Sequence, residues 1–204
     1  MGMVCVFRRA SDDDLYLLLR HPEWIISYLH GDEELDAPPP AREPGFLARL
    51  FGRKVAPPPP PPPPLPAPPA RDAREEDDET SVDKAWHGLH YLFTGTAWES
   101  AGPAGYLLSG GEPIGDVDVG YGAARAIHSP GVQRFADFLA SFDREELLRR
   151  YDPSRMKELD IYPKIWDDEG EGGAFDYLWE YFQVLCDFVA EAARRRSGMI
   201  IYLG

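Results

Sequence analysis

Six residues of this chain have the types and spacing to share a site: Trp86, His90, Tyr162, Trp166, Asp167 and Asp168. An imidazole among aromatic faces, with a carboxylate in reach, could hold a small molecule and exchange a proton with it. Trp86 and His90 are four residues apart, one helical turn, so their rings fall on one face. The run Trp166-Asp167-Asp168-Glu169-Gly170-Glu171 sets four acids behind an indole, just past Tyr162-Pro163. In a cleft such carboxylates do acid–base work; on a loop they are solvated. His90 also has a purely structural reading. It follows Leu89 on the apolar stripe, so its ring would sit in or beside the core with one nitrogen bonded to a fixed backbone or carboxylate acceptor.

Other chemistries are poorly served. His87 and His90 are three apart on a helix, but no further His or Cys cluster would complete a metal site, and no metal or other cofactor is expected. Asp116-Val117-Asp118-Val119-Gly120 resembles the start of a calcium loop, yet Ile127 stands where that loop needs its glutamate. The glycines of Ser109-Gly110-Gly111-Glu112-Pro113-Ile114-Gly115 follow no phosphate-loop spacing and read as a turn. No Gly-x-Ser-x-Gly elbow surrounds Ser100, Ser109 or Ser141. Cys5 and Cys186 lie in apolar runs, as small buried hydrophobes do.

The elements that must position these groups follow from periodicity. Val4 to Phe7 reads as a buried strand, and Ser11-Asp12-Asp13-Asp14 opens a capped helix. A second helix is expected from Glu23 to His30, stopped by Gly31. Asp83 to Phe93 is a helix with Trp86, Leu89, His90 and Phe93 on one face and Gly95 as its stop. From Thr94 to Tyr121 glycine recurs, favouring short strands and loops, with Tyr106-Leu107-Leu108 as the best strand. Ser129-Pro130, Asp143 and Asp152-Pro153 start three further helices. The longest helix spans roughly Ala174 to Arg196 with a stripe of Leu178, Phe182, Leu185 and Val189, and Met199 to Leu203 makes a terminal strand. The two terminal strands pair most simply with each other, giving an α+β fold: a mostly helical layer on a small sheet that includes both termini.

Residues 36–79 break this pattern. They hold 15 of the 21 prolines, among them Pro57 to Pro64 in unbroken succession, and read as a proline-rich, largely disordered insertion. Within it Phe46, Leu47, Leu50 and Phe51 line one short helical face beside Arg49, Arg53 and Lys54, a segment that either docks on the domain, stays disordered or binds elsewhere. The expected single domain is therefore residues 1–35 and 80–204. A net charge of −14 argues against nucleic acid and against an anionic membrane surface. With no apolar stretch near 18 residues and no secretory pattern at the N-terminus, the expected location is cytoplasmic.

The run Asp83-Lys84-Ala85-Trp86-His87-Gly88-Leu89-His90-Tyr91-Leu92-Phe93-Thr94-Gly95, with Met1-Gly2-Met3 before a strand, Gly110-Gly111, and Tyr162-Pro163-x-x-Trp166 before the last helix, resembles the YfbM-like family, also called DUF1877. The resemblance covers residues 1–35 and 80–204. It implies a small soluble bacterial α+β domain and no assigned activity, so no catalytic residue carries over. The proline-rich insertion departs from the family pattern. Two functions follow as expectations. The first is a non-enzymatic cytoplasmic domain that binds an unidentified protein through its acidic face, as immunity-type inhibitors do by analogy. The other is an enzyme acting on a small molecule in a cleft of Trp86, His90, Tyr162 and Trp166 with a carboxylate from Asp167 or Asp168. A concave apolar pocket with convergent polar groups would favour the enzyme.

Overall fold

The computed structural model describes residues 2–31, 78–167 and 173–204. Strand β1 (Cys5–Ala10) leads into α1 (Asp12–Arg20), where the Ser11 hydroxyl accepts the amide of Asp14 as the capping pattern requires. A 3-10 turn at Pro22–Trp24 and α2 (Ile25–His30) follow. The chain returns as β2 (Glu79–Ser81), then α3 (Trp86–Thr94), β3 (Glu112–Asp118), β4 (Ala123–Ile127), α4 (Ser129–Leu139), α5 (Arg144–Arg150), α6 (Pro153–Glu158), α7 (Ala174–Arg194) and β5 (Gly198–Leu203). One antiparallel sheet has the order β2-β1-β5-β4-β3, and the terminal strands pair along their whole length from Cys5↔Leu203 to Ala10↔Gly198. The fold is α+β, with the N- and C-terminal strands joined as expected.

Helices cover both faces of that sheet. Because side chains alternate along a strand, Met199 and Ile201 of β5 enter one core with Phe7, α3, α4 and α7, while Ile200 and Tyr202 enter another with Leu15, Leu18, Ile25 and Leu29 of α1 and α2. A central strand covered on both sides reads as a continuous apolar run, which is what Met199 to Leu203 is. On α7 the predicted stripe of Leu178, Phe182, Leu185 and Val189 is buried throughout.

Two features differ from the sequence expectation. Tyr106-Leu107-Leu108 is not a strand but a turn after the 3-10 segment Gly102–Gly105. The Arg125 guanidinium, largely buried, donates to the carbonyls of Tyr106, Leu107 and Gly110, and the Gly105 carbonyl accepts from Leu108, Ser109 and Gly110. These bonds hold an apolar run curled against the core, with Tyr106 edge-on to Phe135. The second is β2, a short edge strand that begins at Glu79. Arg8 and Arg9 of β1, both buried, anchor its start from opposite faces. Arg8 reaches Glu79 and the Leu29 carbonyl, and Arg9 donates twice to Asp78. The segment Phe46 to Lys54 lies outside the described residues.

Phe182 fixes α7 against α3, meeting Phe93 at 6.1 Å between ring centroids and stacking on Trp179 at 5.5 Å. Phe182→Ala is expected to cost about 3–5 kcal/mol, because the neighbours cannot collapse into the space it leaves. Chemical denaturation checks this; a cost below about 1 kcal/mol would place Phe182 off the packed face.

Candidate functional site

Helix α3 is buried on every side from Trp86 to Phe93. A helix apolar all round is a central element, and here it carries two histidines that are both shut away from solvent. They have different surroundings. His87 accepts the Tyr162 amide at Nδ1 (3.0 Å) and donates from Nε2 to the Ala97 carbonyl (2.8 Å). An amide can only donate and a carbonyl only accept, so these bonds select the neutral Nε2–H tautomer. Burial pushes the His87 pKa down, against smaller opposing effects of the Ala97 carbonyl and the Asp160 charge. The ring lies nearly parallel to Trp86 at 5.0 Å and tilted to Trp98 at 4.7 Å.

His90 does not behave as either expectation held. Its ring is fully buried, yet neither nitrogen has a hydrogen-bond partner among the described residues. The fixed acceptor foreseen for His90 is instead given to His87, three residues earlier and 6.4 Å away between ring centroids. Burial, then the neighbouring His87, push the His90 pKa down to about 4.

The remaining expected site residues divide. Trp86 stacks on Tyr162 at 5.8 Å and donates from its indole nitrogen to the Met3 carbonyl. Trp166 packs its six-membered ring against Gly88 of α3, where an added Cβ would stand 2.7 Å from it, and its Nε1 donates to Ile161. Tyr151 donates to the Trp166 carbonyl. Trp86, Tyr162 and Trp166 are thus brought together around α3, with both indole nitrogens spent on backbone carbonyls. Asp167 is at the surface in an ion pair with Lys157 (2.8 Å), which holds its carboxyl below the usual carboxylate range. It stays ionised at neutral pH and so is no proton donor. Asp168 lies outside the described residues.

A cleft of about 290 Å³ opens beside these groups, lined by Pro153, Lys157, Asp160, Lys164, Trp166 and Asp167. Sequence reasoning named only Trp166 and Asp167 of this set. The available signal was that two of the chain's four lysines flank the acidic run, at 157 and 164. His87 and Trp98 were also missed as site groups, although Trp98 is a lone large aromatic in a polar loop. Among the described residues no group of three or more His, Cys, Asp or Glu is gathered as metal ligands. Asp118 accepts the amides of Gly120 and Gly122 within its own hairpin. Both thiols are pushed up to about 12 by burial, which removes them as nucleophiles. Among the described residues no helix is long and apolar enough to cross a membrane.

An α+β domain with helices on both sheet faces and a buried His-Trp centre on α3 is thereby defined. The chain belongs to the DUF1877 family, a domain of unknown function, whose model matches residues 1–202. It is similar to the crystal structure of YfbM from Escherichia coli, a protein of unknown function, with a TM-score of 0.61 at 17% identity over 98% of this chain and 99% of that one. That likeness concerns the fold. No curated protein matches.

The buried His90 gives stability a defined pH dependence. Below pH 6.5 the unfolded chain protonates this imidazole, while the folded chain refuses the proton down to about pH 4. The unfolded state therefore binds more protons in that window, and stability falls as pH falls across it. Relative to His90→Leu, the wild type is expected to lose about 3 kcal/mol between pH 7 and pH 4. Denaturant titrations of both proteins at the two pH values measure this; parallel losses would show that His90 titrates normally.

Proposed function

We propose that the domain is a non-enzymatic protein-binding module whose docking face is built around Trp98 and the segment 160–167. The observation that carries this reading is Trp98 itself, 63% exposed yet packed at a tilt, 4.7 Å between ring centroids, on a buried histidine that is bonded at both nitrogens. An indole held rigid at the surface loses little rotamer freedom on docking and has the character of a binding hot spot. Ile165, also exposed, lies on the segment that His87 ties down from its other nitrogen. The net charge of −14 suits a partner with a basic face. The groups that an enzyme would use are committed elsewhere, His87 to two backbone atoms and Asp167 to Lys157, and both thiols stay protonated at neutral pH.

The test is affinity capture from the native cell with wild type and Trp98→Ala in parallel. A protein retained by the wild type and lost by the variant, with melting temperatures matched, is the expected result. Equal capture by both would remove Trp98 from the interface.

A further inference from the structure

The cleft beside Trp166 has a build of its own. Its rim carries two ion pairs, Lys157–Asp167 at 2.8 Å and Lys164–Asp160 at 2.7 Å; Pro153 adds apolar wall, and the nearly buried Trp166 closes the floor. Two of the four charged residues, Asp160 (φ 57°) and Lys164 (φ 71°), hold the left-handed backbone conformation that side chains other than glycine adopt at a cost. Such conformations persist only where the surroundings over-determine them, and they gather at functional sites. Here the surroundings are visible. The Ile161 amide bonds to Met156, the Tyr162 amide to His87, the Ile161 carbonyl accepts both the Trp166 indole and the Lys164 amide, and Tyr151 holds the Trp166 carbonyl. The backbone of residues 160–167 is a fixed frame that presents three of the four charges, and Lys157 faces it from α6.

We propose that this cleft binds a small zwitterion of the α-amino-acid type. An anion entering here would meet Asp160 and Asp167 as well as the lysines, and a cation would meet both lysines. A molecule carrying both signs satisfies both pairs, its carboxylate shared by Lys157 and Lys164 and its ammonium by Asp160 and Asp167. The exchange costs little because all four side chains are solvent-exposed, and exposed ion pairs contribute weakly to stability. Pro153, with the aliphatic stems of Lys157 and Lys164, then takes an aliphatic side chain. A volume of about 290 Å³ is at the small end of ligand pockets, the size of one residue and not of a nucleotide or a lipid.

The inference does not depend on a protein partner and is tested on the isolated chain. Isothermal titration is run with L-leucine and with its two halves, isovalerate for the carboxylate and isopentylamine for the ammonium. Leucine is expected to bind at least tenfold more tightly than either half. Asp160→Asn and Lys164→Asn should each weaken leucine binding at least tenfold without moving the melting temperature, since asparagine tolerates the left-handed conformation. Trp98→Ala should abolish docking and leave leucine binding unchanged, so the two readings are told apart although both use the segment 160–167. No heat with leucine at millimolar concentration, equal affinity for a half-molecule, or full affinity in both charge variants would each overturn the assignment.

Discussion

The imidazole of His87 joins three parts of the chain that are remote in sequence. Its Nε2 holds Ala97 in the loop after α3, its Nδ1 holds Tyr162 in the segment before α7, and its ring fills the space between Trp86 and Trp98. Each bond is buried or partly so, where water cannot replace it without opening the structure. The two bonds demand opposite roles of the two nitrogens, so only one uncharged tautomer serves. The exposed Trp98 and the cleft walls of residues 160–167 both rest on this single ring, and it is the constraint from which the surface features follow.

Much of the Asp83 to Gly95 run turns out to be architecture. Asp83 accepts the Tyr177 hydroxyl, Trp86 anchors the Met3 carbonyl, Gly88 admits Trp166 and Leu178, Thr94 returns to the His90 carbonyl, and Gly95 ends the helix in a left-handed cap. His90 is the exception, buried with both nitrogens unpartnered among the described residues. A desolvated neutral imidazole without partners is a cost the fold carries, and it makes α3 the pH-sensitive element of the core.

Periodicity revealed α3, the apolar stripe of α7 and the pairing of the termini, because those depend on spacing of 3.6 or 2 along a continuous stretch. Trp86, Tyr162 and Trp166, grouped by residue type and not by spacing, lie around α3. What periodicity could not rank was His87 against His90. On a helix buried all round, both are interior, and the choice is made by an amide 75 residues away. The same limit explains Tyr106-Leu107-Leu108, an apolar run that would suit a strand had the Arg125 guanidinium not gathered its carbonyls. The strand read over Val4 to Phe7 runs on through the buried pair Arg8 and Arg9, each bonded to an acid about 70 residues on. Spacing is local information, and these contacts are not local.

The central claim is the charge and tautomer of His87. Nitrogen-15 correlation spectra of the histidine rings report both directly. The account predicts a neutral Nε2–H form for His87 that persists below pH 6.5, with its Nδ1 in the unprotonated range. An Nδ1–H tautomer would contradict it, because it cannot accept the Tyr162 amide while donating to Ala97. So would a ring that titrates at the ordinary value of 6.5, because burial would then not be disfavouring its charged form.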